Sequence, residues 1–500
     1  SFTMRPAAAL ALSIARAVRG AGGHALFVGG WVRDRLRGHI AENVDLEVYG
    51  VPADRLHILL ADFGSVNAVG KNFSVYKVGS IDVALPRRES KSGRGHRGFM
   101  VTGDPDLPYD QAFRRRDFTI NAIGWDPLTE EYVDPYSGRA DLARGLLRAV
   151  DPDTFKDDSL RVLRAVQFAA RFEFSLDPDT ARLCADLPLD DLPAERIWAE
   201  LDKLLRLANR PALGFTVARS LGVVERLFPE MVPLIDCPQE PEWHPEGDVW
   251  THTLLVIDEA RARIDDLARS KQIAVMLGAV CHDFGKPATT RISDGRIRSL
   301  NHEAAGVSPA TAFLDRLNIH TIDGFDVRHQ ILGMVAHHLT PGMWHRSRDG
   351  VGDGAFRRLA RKVDLELLAR LSAADCLGRT GKFDCSAMEW FIERARALGV
   401  EHAPPDPLLK GRHLIARGWS PGPALGEILR AIYEQQLDGR ITTGEGGIDP
   451  KGMESHPRVQ FHKNGFPNLG GIPPFRLQFN RLQRNGITLL STERKNHMYC

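Results

Sequence analysis

The sequence lacks the features of a membrane, a disulfide-rich or a strongly basic protein. Its six cysteines have no CxxC spacing, so neither a disulfide framework nor a structural zinc site is expected; they are Cys184, Cys237, Cys281, Cys376, Cys385 and Cys500. The 65 Lys and Arg residues face 64 Asp and Glu residues, so no overall positive charge points to a polyanion. The longest uncharged apolar stretch near the middle of the chain, 272–281, is far shorter than the roughly 18 residues of a membrane span. A cytoplasmic protein without a membrane segment is therefore expected.

Composition predicts a globular protein of several domains. With 500 residues, of which 43% are hydrophobic and 26% charged, the chain is long enough for about three domains. Met4 and Arg5 before an apolar run imitate a signal peptide. However, Leu10, Ile14 and Val18 recur at every fourth residue, which favours an amphipathic helix.

The pattern of the chain changes near residue 150. From 24 to about 150, short apolar runs alternate with glycine-rich or charged turns, which indicates a small α/β domain. Within it, residues 87–110 have no periodicity and are expected to form a long loop. After Asp153 the periodic segments lengthen, so only helices are expected as far as about Gln436. Gly, Pro, Asn and His accumulate in 444–500, which predicts a loosely folded tail.

Two glycines and three acids in the first domain indicate a site for phosphate and metal. Gly29 and Gly30 follow an apolar run and open a predicted helix, where the backbone can approach a phosphate; a plain tight turn is the alternative. Asp45 and Glu47 lie two residues apart on a predicted strand, so they share a face and can hold Mg²⁺, although a solvated acidic edge has the same pattern. Asp82 stands between β-branched residues on another strand, where an acid is costly unless it is paired or liganded.

Four motifs in order along residues 27–205 resemble one family of enzymes. The motifs GGWVRDRLRG, VDLEVYG, RRDFTINA and DDSLRVLRAVQFAARF together resemble the class II tRNA nucleotidyltransferases and bacterial poly(A) polymerases. The resemblance implies a nucleotidyltransferase head of the DNA polymerase β type, which adds nucleotides to an RNA 3′ end without a nucleic-acid template. It also implies that Asp45 and Glu47 bind catalytic Mg²⁺, with Asp82 as a third catalytic acid; many members of the family have Asp at the place of Glu47.

The same resemblance assigns residues to nucleotide binding. In the family the second arginine of the third motif, here Arg116, contacts the nucleotide. Asp158 and Arg161 would offer an acceptor and donors to the edge of the incoming base; a salt-bridge ladder along one helix is the alternative. Gln167 stands where the family often has Arg, so one contact is expected to be missing or rerouted. The residues predicted to bind nucleotide are Gly29, Gly30, Arg33, Asp34, Arg116, Asp158, Arg161 and Arg164.

A second constellation, of His and Asp residues, lies further along the chain. His252, the adjacent His282 and Asp283, and Asp375 occur in the order used by HD-type metal phosphohydrolases, which residues 244–379 resemble. Nitrogen and oxygen ligands of this kind suit Mn²⁺, Ni²⁺ or Fe²⁺. Histidines satisfied within a core are the alternative. Further candidates are His302, His337 and His338 for a second metal position and Lys286 for a phosphate contact.

The sequence therefore predicts an α+β nucleotidyltransferase head followed by an all-α neck, body, HD domain and C-terminal helices. The expected boundaries are 1–150 for the head, 151–240 for the neck and body, 241–380 for the HD domain, 381–443 for a C-terminal helical unit and 444–500 for a basic tail.

The predicted activity is the addition of CCA, from CTP and ATP, to the 3′ end of tRNA, with a second phosphohydrolase activity in the HD domain. The tRNA is expected to be recognised by shape and backbone charge. Enzymes that add only A, only CC or a poly(A) tail would carry the same head motifs. Two alternatives come from other classes: an HD phosphohydrolase with an RNA-binding head, and a tRNA-binding protein without catalytic activity.

Overall fold

The computed structural model describes residues 6–69, 75–91, 99–416, 418–443 and 459–461. The chain divides into two compact units. The first comprises Ser1–Ala336 and Ala374–Phe383, and the second comprises His337–Ala373 and Asp384–Cys500.

The first 150 residues contain a mixed β-sheet. The strands in this region are β1 (His24–Val28), β2 (Val44–Tyr49), β3 (Val66–Val69), β4 (Val75–Val78), β5 (Ile81–Ala84), β6 (Arg87–Lys91), β7 (Phe99–Gly103), β8 (Gly124–Trp125) and β9 (Tyr132–Val133). Seven of them form one sheet in the order β3-β4-β5-β2-β1-β8-β9. β2 and β5 run parallel, and the other neighbours run antiparallel. The predicted α/β pattern of this region is thus confirmed.

Helices accompany this sheet. They are α1 (Pro6–Gly20), α2 (Gly30–Leu36), α3 (Ala53–Ala61), α4 (Tyr109–Arg114), α5 (Gly138–Arg144) and α6 (Pro152–Phe155). In α1, Ile14 and Val18 are fully buried in the core that the sheet shares with α3, while Leu10 packs at its border. The amphipathic stripe read from the sequence therefore packs on the sheet.

Strand β2 separates an apolar face of the sheet from an acidic one. Leu46 and Val48 belong to the core under α1, as the alternation of side chains along a strand requires. Asp45, Glu47 and Tyr49 point to the opposite face, where Tyr49 packs in a smaller cluster that includes residues of α4. Two acids are thereby placed on one face by the burial of their apolar neighbours on the other.

The rest of the chain is mainly helical. Its helices are α7 (Leu160–Phe172), α8 (Pro178–Asp186), α9 (Ala194–Leu207), α10 (Ala212–Ser220), α11 (Val223–Leu227), α12 (Val249–Arg261), α13 (Arg269–Cys281), α14 (Lys286–Thr289), α15 (His302–Arg316), α16 (Val327–His337), α17 (Thr340–Arg346), α18 (Asp353–Leu359), α19 (Leu365–Leu377), α20 (Ala387–Ala397), α21 (Gly411–Ile415) and α22 (Pro423–Leu437). Short 3₁₀ segments occur at Thr119–Asn121, Pro229–Leu234 and Arg348–Gly350.

The prediction of helices alone from Asp153 to about Gln436 was wrong, because β11 to β15 lie within that range. Short strands pair as β10 (Leu146–Leu147) with β11 (Ser175–Leu176), β12 (Thr290–Ser293) with β13 (Arg296–Ser299), β14 (Thr321–Ile322) with β15 (Phe325–Asp326), and β16 (Ile441–Thr443) with β17 (Val459–Phe461). Two of these hairpins turn at Asp-Gly pairs, Asp294-Gly295 and Asp323-Gly324, in which both residues have positive φ. Asp-Gly is the strongest short hairpin signal in a sequence, and it was overlooked among the helical patterns.

Two other sequence predictions need correction. Residues 87–110 are not one loop, because β6 and β7 pair antiparallel as a hairpin and α4 starts at Tyr109. Cys184, Cys237 and Cys281 are free and buried, as expected, but Cys376 and Cys385 are disulfide-bonded. The predicted tail 444–500 lies outside the described residues except for β17.

Helix length bears on the membrane prediction. Within the described ranges, no helix is both long and apolar enough to pass through a bilayer.

The packing of Gly285 yields a test of the fold. A Cβ atom there would lie 1.9 Å from the carbonyl oxygen of His302 and 2.5 Å from the amide nitrogen of Gly306. Gly285→Ala must therefore force α15 away from the turn before α14, and should cost about 1–3 kcal/mol of unfolding free energy, the usual cost of overpacking.

Calorimetric unfolding of the Gly285→Ala protein checks this expectation. The matched control is Gly426→Ala in α22, where a Cβ would meet nothing within 4 Å and should stabilise the helix by up to about 1 kcal/mol. Equal unfolding temperatures for the two variants would contradict the close approach.

Candidate active sites

The first candidate site lies where β1 ends and β2 and β5 run side by side. Asp45 on β2 is directly opposite Asp82 on β5. Gly29 follows β1 with φ +69°, a backbone conformation that favours glycine. A Cβ on Gly29 would lie 3.8 Å from Asp45 Oδ2 and 3.4 Å from Arg116 Nη1. The glycine thus leaves room for a ligand between backbone, carboxylate and guanidinium.

The two acids of β2 have different surroundings. Glu47 is only 1% exposed; the Tyr49 hydroxyl donates to its Oε1 at 2.5 Å, and Arg115 and Arg116 approach its Oε2 at 3.4 Å. Asp45 is more than a third exposed. Partial desolvation of its carboxyl, and then the negative charge of Asp82, raise the pKa of Asp45, while Arg116 opposes the rise.

These surroundings fit a divalent cation. Asp45 and Asp82 offer oxygen ligands of the type that Mg²⁺ prefers, and a cation would relieve their mutual repulsion. Glu47 lies on the same strand face as Asp45, and its Oε2 is approached by two arginines. The Nε of Arg116 is buried and has no hydrogen-bond partner in the part of the chain that the structure describes.

A buried network holds the glycine turn against helix α7. The Arg33 guanidinium contacts Asp34 at 2.9 Å and donates to Asn121 Oδ1 at 2.7 Å. Asn121 in turn donates to Asp117 at 3.0 Å, and Arg164 on α7 pairs with Asp117 at 2.6 Å. Burial opposes ionisation of Asp117, but Arg164 and Asn121 lower its pKa to about 2. Arg33 is also stacked between the network and aromatic rings of α7. It therefore positions the turn, a role the sequence motif alone did not reveal.

Asp158 and Arg161 each contact groups outside helix α7. Asp158 lies just before α7 and pairs with Arg196 at 2.9 Å. Arg161 donates to the backbone carbonyls of Thr154 and Arg115, so it ties the start of α7 to the arginine motif. Arg161 thereby stands beside the segment that carries Arg116.

The second candidate site is a buried cluster of ionisable residues in the first unit, here called the His-Asp cluster. Its members are His244, Glu246, His252, His282, Asp283, His302 and Asp375. His252 on α12 has Nε2 2.8 Å from Asp375 Oδ1 on α19. His282, which follows α13, has Nε2 3.2 Å from Asp283 Oδ2. His302 at the start of α15 reaches Asp283 Oδ1 at 3.3 Å. Four helices thus bring together residues up to 123 positions apart in the chain.

The charges of this cluster also fit a bound cation. Burial works against a charged His282, yet the carboxylates of Asp283 and Asp375 raise its pKa to about 10. The pKa values of both acids lie below their ordinary range despite burial, because they face histidines and, for Asp283, Lys286 at 2.8 Å. Ligand atoms of His252, His282 and Asp283 lie within 4.8 Å of one another, and all three residues are buried. Nitrogen and oxygen ligands of this set could therefore hold a divalent transition metal.

Sequence reasoning missed Glu246 and His244. Glu246 Oε1 lies 2.7 Å from Nδ1 of His252 and 2.9 Å from Nδ1 of His244. A carboxylate on the far nitrogen of a metal-binding histidine fixes its ring and tautomer. Both residues stand in the quoted segment HPEGDVWTHT, so the signal was present. Of the further candidates, His302 joins the cluster, and His337 and His338 stand at the end of α16.

Comparisons with known proteins agree with the fold of the head. Residues 25–148 match the family model described as the poly A polymerase head domain, and residues 173–234 match the probable RNA and SrmB-binding site of polymerase A. The CCA-adding enzyme of Bacillus stearothermophilus, solved with CTP, has a TM-score of 0.59 at 22% identity over 88% of this chain and 94% of that one. A Thermotoga maritima CCA-adding enzyme, solved with tRNA, has a TM-score of 0.52 at 20% identity over 89% of this chain and 94% of that one. These likenesses establish a shared fold.

Sequence relatives extend over most of the chain. The multifunctional CCA protein of Xanthomonas campestris pv. campestris (strain B100) is 34% identical over 419 residues, which are 80% of this chain and 95% of that protein. The one from Actinobacillus pleuropneumoniae serotype 5b (strain L20) is 38% identical over 305 residues, 59% of this chain and 71% of that protein. With this degree of identity over nearly the whole length of a relative, the chain belongs to the family of multifunctional CCA proteins.

Proposed function

We propose that this chain adds CCA to the 3′ end of tRNA, with CTP and ATP as donors. The observation that carries the proposal is the placement of Asp45 beside Asp82 on the neighbouring strand, with the Asp45 carboxylate next to Gly29. Acids crowded beside a glycine turn at a helix start suit a metal-bound triphosphate. Membership of the family supplies the choice of tRNA and nucleotides.

In the proposed reaction, the 3′-hydroxyl of the RNA attacks the α-phosphate of CTP or ATP, a new P–O bond forms, and pyrophosphate leaves. Asp45, Glu47 and Asp82 would hold Mg²⁺, which when bound neutralises charge on the phosphates. Gly29 and Gly30 would lie against the triphosphate, and Arg116 would donate to it. Asp158, Arg161 and Arg164 would position the base from the start of α7, with Arg33 and Asp34 holding the turn.

The decisive assay uses a tRNA without its CCA end, Mg²⁺, and labelled CTP and ATP, separately and together, with products resolved at one-nucleotide length. Three added nucleotides that require both donors are expected. A single A, only CC or a long A tail would reassign the chain to a specialised polymerase, and no addition at all would contradict the proposal.

Asp45→Asn should reduce addition by at least about 100-fold, because a metal ligand contributes several kcal/mol to the transition state. Asp62→Asn, on an exposed residue of the same domain, is the matched control and should retain full activity. Comparable activity of the two variants would exclude Asp45 from the metal site.

Gly29→Ala should weaken nucleotide binding more than it weakens folding. The positive φ costs a residue with a Cβ roughly 1–2 kcal/mol, and the added methyl fills the space beside Asp45. Binding of CTP by calorimetry and thermal unfolding of the same protein test this. Gly22→Ala, at φ +85° with nothing within 4 Å of its Cβ, is the control for backbone strain. If both variants lose CTP equally, the space at Gly29 is irrelevant to binding.

We further propose that the His-Asp cluster is a metal-dependent phosphohydrolase site of the HD type. Its support is the buried set of imidazoles and carboxylates around His282 and Asp283. His252, His282, Asp283 and Asp375 would hold Mn²⁺, Ni²⁺ or Fe²⁺, which when bound activates water. Hydrolysis adds water across a phosphate P–O bond and leaves a monoester and a hydroxyl. Lys286, next to Asp283, would contact a phosphate oxygen.

Metal content separates this second activity from the first. His282→Ala should lower the bound transition metal, measured by mass spectrometry of the purified protein, and abolish hydrolysis of bis(p-nitrophenyl) phosphate while CCA addition continues. Asp45→Asn should show the reverse pattern. The control His329→Ala removes an exposed histidine and should change neither. Wild-type protein that takes up no Mn²⁺, Ni²⁺ or Fe²⁺ would rule out the HD assignment, and loss of hydrolysis in Asp45→Asn would place that activity in the head.

A further inference from the structure

A buried tyrosine contacts the carboxylate of Glu47 in the head. Tyr49 follows Glu47 by two residues on β2, so both side chains lie on the same face of the sheet, and both are buried. The Tyr49 hydroxyl donates to Glu47 Oε1 at 2.5 Å, whereas Arg115 and Arg116 approach Oε2 at 3.4 Å. Because N–H donors usually lie within about 3.2 Å of the oxygen, the hydroxyl is the close partner of this carboxylate.

Two other rings hold the ring of Tyr49 in place. His24 on β1 is directly opposite Tyr49, and the two rings stack with their centroids 5.1 Å apart and 9° between their planes. Tyr109 on α4 meets Tyr49 edge-on at 4.9 Å, and the Tyr109 hydroxyl forms a hydrogen bond with Nε2 of His24. Since the three rings belong to three elements, the sheet and α4 together set the position of the Tyr49 hydroxyl.

A glutamate needs such a partner if its carboxylate is to keep one orientation. The last torsion of a glutamate side chain is broad, so the strand and the packing around it leave the carboxylate plane free to rotate. A short hydrogen bond to Oε1 removes that freedom and leaves Oε2 on the side of Arg116. Nη1 of Arg116 lies 3.4 Å from the position that a Cβ atom on Gly29 would take, so Oε2 is on the side of the glycine turn.

We propose that Tyr49 is a positioning residue for nucleotide addition. By holding Oε1, its hydroxyl keeps Oε2 of Glu47 turned toward the glycine turn, where it can serve with Asp45 as a ligand for Mg²⁺. This inference rests on the proposed CCA addition and assigns to it a residue that acts through Glu47 alone. Loss of a partner that orients a metal ligand typically lowers metal affinity or activity by about 10- to 100-fold.

Tyr49→Phe keeps the ring and removes only the hydroxyl. It should raise the Mg²⁺ concentration for half-maximal CTP addition about ten-fold and lower kcat, with KM for CTP nearly unchanged. The matched control is Tyr76→Phe, which removes the hydroxyl that another buried tyrosine of the same sheet donates to the Ala53 carbonyl at 3.0 Å. It should leave the Mg²⁺ dependence as in wild type. Equal effects of the two variants, or an unchanged Mg²⁺ dependence in Tyr49→Phe, would overturn the inference.

A double-mutant cycle shows whether Tyr49 acts through Glu47. Glu47→Asp shortens the side chain by one methylene group, so the carboxylate withdraws from the hydroxyl of Tyr49. Tyr49→Phe should therefore have little further effect on the Mg²⁺ dependence in the Glu47→Asp protein. Full additivity of the two substitutions would mean that the tyrosine acts independently of the acid, and the positioning role would be excluded.

Mg²⁺ binding separates failure of this inference from failure of the proposed function. Mg²⁺ is titrated by calorimetry into wild-type and Tyr49→Phe protein, and Asp45→Asn is titrated in parallel to account for Mg²⁺ bound elsewhere. If the wild type adds no nucleotide but binds Mg²⁺ about ten-fold more tightly than Tyr49→Phe, the positioning role stands without CCA addition. Equal affinities in the two proteins, or no Mg²⁺ binding that depends on Asp45, would contradict it.

Discussion

A carboxylate removed from water must be matched by positive charge or by hydrogen-bond donors, and this requirement organises both candidate sites. Glu47 is buried and accepts from Tyr49 and two arginines. Asp117 is buried and is paired with Arg164. Asp283 is buried among Lys286 and two histidines. Each pairing fixes the segment that carries the acid to the segment that supplies its partner.

In the head, this need for matching partners affects the two acids of β2 differently. Glu47 Oε2 accepts from Arg115 and Arg116 and so holds the arginine motif near the glycine turn. Asp45 stays open to solvent beside Asp82, whose Oδ1 lies 3.9 Å from Lys77 Nζ, so both carboxylates can offer oxygens to a cation. Arg33 and Asn121 then carry the pairing through Asp117 to α7. The proposed nucleotide site and the helix expected to read the base are thus joined by a continuous series of hydrogen bonds and ion pairs.

In the His-Asp cluster the buried carboxylates are also matched, and here their partners are histidines, which can accept a proton or bind a metal. Its acids are matched by imidazoles whose far nitrogens are fixed by Glu246 or by backbone carbonyls. Since an imidazole can accept a proton or bind a metal, the cluster remains paired in either state. The residues of this cluster all lie outside the head, so the proposed phosphohydrolase activity should be separable from CCA addition.

Local patterns explain how much could be predicted. The stripe Leu10, Ile14 and Val18 gave α1, and the alternation around Leu46 gave the shared face of Asp45 and Glu47, because both depend on period alone. The hairpin at Asp294-Gly295 was predictable from the same kind of signal but was overlooked among longer helical repeats.

The sequence by itself determined the α/β character of the head, the main helices and the identity of the groups available for chemistry, since periodicity and residue type are local properties. Only the tertiary structure decided which of those groups meet. It paired Asp158 with Arg196 rather than with Arg161, placed Arg33 on Asn121, and added Glu246 behind His252. These partners are tens of residues apart or lie on separate elements, and their pairing depends on where the burial of apolar faces brings each element to rest.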